Sequence, residues 1–322
     1  MKNEVLEGKI VRKGVIKMKK FVIIALSLVM LASLGTSCAK TTPTAKKPTL
    51  GLVISTLNNP FFVTLRDGAQ KEAETSGVTL IVMDSQNDPA KEASNIEDLI
   101  SRKVDAILIN PTDSDAVVPS VKKANDANIP VLTIDRAANG GVVVSHIASD
   151  NVAGGKMAAE FLGKALHGKG KVVELQGIPG TSAARDRGTG FDTTMAQEFP
   201  DIQIIARQPA DFDRAKALSV FENILTAQPK IDGVFAQNDE MVLGAIQAAE
   251  AAKRTGIIFV GYDAIDDAIK AIKEGKLAAT IQQQPALMGK LAVETAVDVL
   301  NGKTVDKFIP VPVKLITKEN VP

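Results

Sequence analysis

The chain has 322 residues, 45% of them hydrophobic and 23% charged, the balance of a globular protein with room for roughly two domains. Lys plus Arg at 38 against Asp plus Glu at 37 leave no basic excess to grip a nucleic-acid backbone. Two His, one Cys and no Trp are too few for a His/Cys zinc cluster and offer few candidates for a His-based nucleophilic triad.

The N-terminal stretch Met18-Lys19-Lys20, the apolar run Phe21 to Leu34 and the small residues Gly35-Thr36-Ser37 follow the order of a secretory signal. The apolar run is too short to span a bilayer comfortably. Cys38 follows at once, so the segment looks like a bacterial lipoprotein signal whose cysteine is acylated and becomes the mature N-terminus. The Leu usual three places before that cysteine is replaced by Gly35, with Leu34 one place further back, and a plain secretory signal with an incidental cysteine is the alternative. Residues 1–17 do not read as part of a signal, which makes Met18 a candidate start. Cleavage after residue 37 removes seven basic and two acidic residues, leaving 285 residues with 31 basic against 35 acidic, a net charge of −4. Residues 38–48, rich in Thr, Pro and Lys, read as a solvated tether.

From Thr49 onward the chain alternates between short apolar runs and segments of helical period. The runs are Leu50–Ser55, Leu80–Asp84, Ala106–Asn110, Pro130–Asp135, Lys171–Gln176, Ile202–Arg207, Gly233–Asn238, Ile257–Asp263 and Leu277–Gln283. Helical stretches include Phe62–Ser76, Ala90–Arg102, Asp115–Asn128, Val152–Leu166, Arg214–Ala227 and Glu240–Ala252, with start signals at Asp88-Pro89 and Asp113-Ser114. Near-continuous apolar strands separated by helices predict α/β, doubly wound parallel sheets covered on both faces. Nine or more strands exceed one ordinary open sheet, so two sheets are expected.

Ligands of such folds bind outside the carboxyl ends of the strands, and those ends carry Ser55, Asn110, Asp135-Arg136, Asn238-Asp239, Asp263 and Gln283. Neither a G-x-G-x-x-G after a strand nor a G-x-x-x-x-G-K-[ST] occurs, which argues against a dinucleotide or nucleoside triphosphate. Planar Asn, Asp, Arg and Gln groups suit a neutral ligand dense in hydroxyls, because each can bond two adjacent hydroxyls. Phe61-Phe62 after Asn58-Asn59-Pro60, and Phe212 between Asp211 and Asp213, offer flat faces for the C–H surface of a sugar ring. No calcium loop is present and no metal or cofactor is implied. His146 reads as a structural histidine on a strand, and His167 as a cation at a helix C-terminus.

The stretch Ser55-Thr56-Leu57-Asn58-Asn59-Pro60-Phe61-Phe62, together with Asn110-Pro111-Thr112-Asp113-Ser114-Asp115, Asp135-Arg136, Ala184-Arg185-Asp186-Arg187, Phe235-Ala236-Gln237-Asn238-Asp239-Glu240 and Gly261-Tyr262-Asp263, resembles the bacterial ribose-binding proteins. The resemblance runs from Thr49 to the C-terminus. It implies a two-lobed periplasmic-type binding protein (type I) joined by a three-crossing hinge, with an N-terminal lobe of 49–149 plus 284–312 and a C-terminal lobe of 150–283 plus 313–322. It implies ligand contacts from Asn59, Asp135, Arg136, Arg187, Asn238, Asp263 and Gln283, ring packing by Phe61, Phe62 and Phe212, and a supporting shell of Ser55, Asn110 and Ser149. Gln282 and Gln284 flank Gln283, and the sequence alone leaves open which of the three faces the pocket.

Two classes of function follow. The first is a non-catalytic, monomeric receptor exported and lipid-anchored on the outer face of the cytoplasmic membrane, or periplasmic. It would deliver ribose or a close relative to the membrane permease of an ABC importer, with a chemoreceptor as a further candidate partner. The second is an intracellular sugar-responsive repressor sharing this core, which needs an N-terminal helix-turn-helix and a basic surface where this chain has an export signal and an acidic mature charge. A sugar-modifying enzyme, with paired carboxylates such as Asp263 and Asp239, comes third because several hydrogen-bond donors accompany those acids.

Overall fold

The computed structural model describes residues 47–322. The expected signal segment, Cys38 and the expected tether as far as residue 46 lie outside the described residues. Strands β1 (Thr49–Ile54), β2 (Thr79–Asp84), β3 (Ala106–Ile109), β4 (Val131–Ile134) and β5 (Ser145–Ser149) join β11 (Phe308–Val311) in one sheet of order β11-β5-β4-β3-β1-β2. Strands β6 (Lys169–Gln176), β7 (Asp201–Pro209), β8 (Gly233–Ala236), β9 (Ile258–Asp263) and β10 (Ala279–Gln282) join β12 (Lys314–Thr317) in a second, of order β12-β10-β9-β8-β6-β7.

The near-continuous apolar runs have a direct cause. Along β1, Leu50, Leu52 and Ile54 enter the core under one face of the first sheet while Val53 enters the core under the other. Val172 and Val173 of β6 divide between two cores in the same way. A strand that feeds two cores has no face left for polar residues.

Nine helices among the described residues cover these faces: α1 (Pro60–Ser76), α2 (Pro89–Ser101), α3 (Val118–Asp126), α4 (Asn151–Ala165), α5 (Ser182–Glu198), α6 (Arg214–Ala227), α7 (Asp239–Ala251), α8 (Asp266–Lys273) and α9 (Pro285–Leu300). Asp88 caps α2 by accepting from the amides of Ala90 and Lys91, with Pro89 in the first turn. The expected cap at Asp113 is different: its Oδ1 accepts from the amides of Asp115 and Ala116, closing a turn, and α3 begins only at Val118, behind an uncapped Val117. The sheets are also not wholly parallel, since β12 runs antiparallel to β10.

The chain passes between the two sheets three times, between β5 and α4, between β10 and α9, and between β11 and β12. Helix α9 supplies Met288, Ala292, Val293 and Ala296 to the same core as Phe61, Phe62 and Leu65 of α1, so the chain beyond Gln284 packs on the first sheet until it leaves again after β11.

Glu92 of α2 and Glu174 of β6 bury their carboxyls. Glu92 accepts from the Thr112 amide at 2.6 Å, and Glu174 accepts from Gln237 Nε2 at 2.8 Å. Burial lifts both from an ordinary 4.5 to about 7. Each therefore holds its proton more tightly folded than unfolded, so its contribution to stability is full below about 4.5 and is lost as pH rises through about 7. Thermal unfolding should accordingly shift to lower temperature between pH 5 and pH 8, and the Glu92→Gln/Glu174→Gln double variant should flatten that slope. Calorimetric scans showing identical slopes for both proteins would contradict the assignment.

Candidate functional site

The carboxyl ends of the two sheets face each other across a small cavity. Asn59, Phe61, Phe62, Asp135 and Arg136 line it from the first sheet's side, Ala183, Arg187, Phe212, Asn238 and Asp263 from the second's, and Gln283 from the second crossing.

On the first side, Asp135 leaves β4 in a left-handed conformation (φ 62°), a turn Asp tolerates better than most residues. Asn110 Nδ2 donates to Asp135 Oδ2 at 3.2 Å, and Ser55 Oγ donates to Asn110 Oδ1 at 2.6 Å. This chain holds one carboxylate oxygen and leaves Asp135 Oδ1 without a protein partner. Arg136 donates from Nη1 to the Pro111 carbonyl at 3.2 Å, while its buried Nε has no hydrogen-bond partner and lies 3.8 Å from Asp135 Oδ2. The guanidinium sits between Phe62 and Phe212, 5.1 and 5.3 Å from their ring centroids. Burial pulls the Arg136 pKa down and the Asp135 charge opposes it, but a guanidinium stays charged under all ordinary conditions. Asn59 caps α1 with Oδ1 on the Phe61 amide at 2.9 Å, and Phe61 and Phe62 meet edge to face at 5.1 Å.

On the second side, Arg187 donates from Nε to Asn151 Oδ1 at 2.8 Å and from Nη1 to the Gln237 carbonyl at 2.7 Å. Asp263 Oδ1 lies 3.9 Å from Arg187 Nη1 and accepts from Gln283 Nε2 at 2.7 Å, leaving Gln283 Oε1 unpartnered. Burial raises the Asp263 pKa from 3.8 to about 7, with Arg187 and Gln283 opposing the rise. Asn238 caps α7 through the Met241 amide at 2.9 Å and donates to the Phe212 carbonyl at 3.3 Å.

All seven expected polar contact residues and all three phenylalanines thus line one cavity. Among the glutamines, Gln283 faces it, Gln284 donates to the Pro312 carbonyl, and Gln282 pairs with Lys314 in the β10–β12 ladder. Ser55 and Asn110 stand behind Asp135 as a supporting chain. Ser149 is buried at the end of β5, is absent from the cavity lining, and its Oγ has no partner. Ala183 in the lining, and Asn151 and the Gln237 carbonyl behind Arg187, lie outside the expected set. Ala183 adjoins the Ala184–Arg187 motif, whereas nothing local marks Asn151.

With both carboxyls ionised, the site's two guanidinium and two carboxylate groups cancel in charge, so it favours an uncharged guest. Three of its polar atoms, Asp135 Oδ1, Arg136 Nε and Gln283 Oε1, are buried with no protein partner. Each such group costs about 1–3 kcal/mol unless something supplies its hydrogen bond, and two acceptors and one donor around a small cavity match the hydroxyls of a polyol. Among the described residues there is no group of three or more His, Cys, Asp or Glu side chains placed to hold a metal ion. The two sides also meet directly, the Ser114 amide donating to the Gly180 carbonyl and the Ala137 amide to Ser182 Oγ, both at 2.9 Å.

Residues 50–304 match the family model described as a periplasmic binding protein domain. The ribose import binding protein RbsB of Escherichia coli is 55% identical over 85% of this chain and 92% of its own length, and that of Bacillus subtilis is 48% identical over 92% and 98%. Among solved structures, an ABC transporter periplasmic solute binding protein from Actinobacillus succinogenes with bound D-allose superposes with a TM-score of 0.80 at 35% identity, covering 85% of this chain and 98% of its own.

Proposed function

The chain belongs to the periplasmic binding protein family, and we propose that it captures D-ribose between two closing lobes outside the cytoplasmic membrane and delivers it to an ABC-type importer. The observation that carries this reading is the cavity itself, a charge-balanced ring of planar polar groups with three phenylalanines and three unpartnered polar atoms. The similarity to ribose import binding proteins supplies the choice of sugar. In this reading the lobes are 49–149 with 284–312 and 150–283 with 313–322, and the three crossings form the hinge. Ligand bonds made to both lobes at once favour the closed shape, which the permease reads. The protein binds without catalysis, works as a monomer, is exported and held by an acylated Cys38, and has a chemoreceptor as its second outlet.

Titration calorimetry of the purified chain against ribose, allose, arabinose, xylose and xylitol tests this. Ribose is expected to bind tightest, and an absence of heat with ribose at high micromolar concentration refutes the assignment. Binding should also depend on pH. Sugar hydroxyls donating to Asp263 stabilise its charged form, so affinity is expected to fall as pH drops below about 7, the value burial imposes on that carboxyl. A flat affinity between pH 5.5 and 8 would show that no sugar hydroxyl donates to Asp263.

A further inference from the structure

The two arginines of the cavity are held in different ways. The Arg136 side chain has one hydrogen bond, to the Pro111 carbonyl, and lies between Phe62 of its own side and Phe212 of the other. The Arg187 side chain is held wholly by its own side. Its Nε donates to Asn151 of α4, its Nη1 to a carbonyl at the end of β8, and its guanidinium carbon lies 3.8 Å from the ring centroid of Tyr262 on β9.

Tyr262 is the chain's single tyrosine and is fully buried. Its hydroxyl lies 3.3 Å from Asn151 Oδ1, the atom that also accepts from Arg187 Nε. Room for that hydroxyl exists because residue 154 is glycine: a Cβ there would stand 2.1 Å from it. One amide oxygen thus collects the guanidinium above the ring and the hydroxyl at the ring's edge. Burial raises the Tyr262 pKa, so the phenol remains a donor. Neither Asn151 nor Tyr262 lines the cavity.

We propose that Asn151 and Tyr262 are positioning residues, which hold the Arg187 guanidinium in its sugar-facing plane whether or not the two lobes meet. The proposal rests on the sugar-binding reading of the cavity and adds to it an order of assembly: Arg187 is presented preformed, and Arg136 completes its surroundings only on closure. A preformed donor lowers the ordering cost of binding.

Asn151→Leu removes the shared acceptor at similar volume, and Asn151→Asp keeps an oxygen in its place. With D-ribose in titration calorimetry, Asn151→Leu is expected to lose about tenfold in affinity, the scale for leaving a buried charged donor unpaired, while Asn151→Asp stays within about threefold of wild type. In an Arg187→Ala background the same Asn151→Leu change should cost less than about twofold, because its effect runs through the arginine. Equal losses in both backgrounds would overturn the proposal. A readout without sugar keeps the two readings separate. In ¹H–¹⁵N spectra of the unliganded protein, an Arg187 Nε–H resonance, assigned by its disappearance in Arg187→Lys, should persist in wild type and be lost to solvent exchange in Asn151→Leu. A resonance unchanged by that substitution would overturn the proposal even if ribose binds, and its loss would sustain the proposal even if another sugar proves to be the ligand.

Discussion

Asp263→Ala is expected to weaken ribose binding by roughly 2–4 kcal/mol, about 30- to 1,000-fold, the scale for removing one partner of a buried charged hydrogen bond. The carboxylate accepts from Gln283 and lies 3.9 Å from Arg187 Nη1, so its loss removes an acceptor for the sugar and unpairs Gln283 Nε2 as well. The site's charge balance is lost too, leaving two guanidinium groups against one carboxylate. Folding should not suffer in step. Burial disfavours the ionised Asp263, pushing its pKa up to about 7, and alanine relieves that cost, which offsets the unpairing of the Gln283 amide. Calorimetric titration together with a melting curve separates the two effects: affinity falls steeply while the melting temperature holds or rises. Arg136→Ala is expected to lose a similar amount, since it removes the donor Nε and the cation between Phe62 and Phe212. If both variants bound ribose like wild type, the contact map of the cavity would be wrong.

Gly190→Val should damage stability and binding together. Helices α4 and α5 cross at very close range, with a Cβ on Gly155 falling 2.2 Å from the Arg187 carbonyl and one on Gly190 falling 2.1 Å from the Val152 carbonyl. Both obstacles are backbone, which no rotamer change can move aside. Valine therefore forces the helices apart, an overpacking cost of about 1–3 kcal/mol or more. Because α5 carries Arg187 and α4 carries Asn151, the same displacement pulls the guanidinium from its acceptor. Denaturant titration should show a lower midpoint, and ribose affinity should fall even in the fraction that remains folded. Wild-type stability for Gly190→Val would mean that the helices separate without cost.

Much of this architecture is legible along the chain because its causes are local. Asp88-Pro89 marks a helix start through its own side-chain cap, and nine of the twelve strands among the described residues appear as apolar runs, those such as β1 and β6 because they feed two cores. Strands β11 and β12 leave no such run in the chain, for the opposite reason. Each has four residues, their burial is partial, and they are strands only because β5 and β10 lie beside them. Asp113 carries the right residue type for a helix cap, yet its loop meets the second lobe at the Ser114–Gly180 hydrogen bond and closes a turn there. Residue type chose the capping oxygen, and tertiary contact chose what it caps.

The same division holds in the site. The chemical groups at the strand ends are legible along the chain: planar amides, carboxylates and guanidiniums with a few phenylalanines. That follows from strand length and helix caps, which act over a few residues. Long-range packing leaves particular atoms of those groups unpartnered, turns Gln283 and not its neighbours to the cavity, and brings Asn151 to Tyr262 across 111 positions of chain. Hydrogen-bond satisfaction is settled by whatever the fold brings within about 3 Å, and no local pattern in the chain records it.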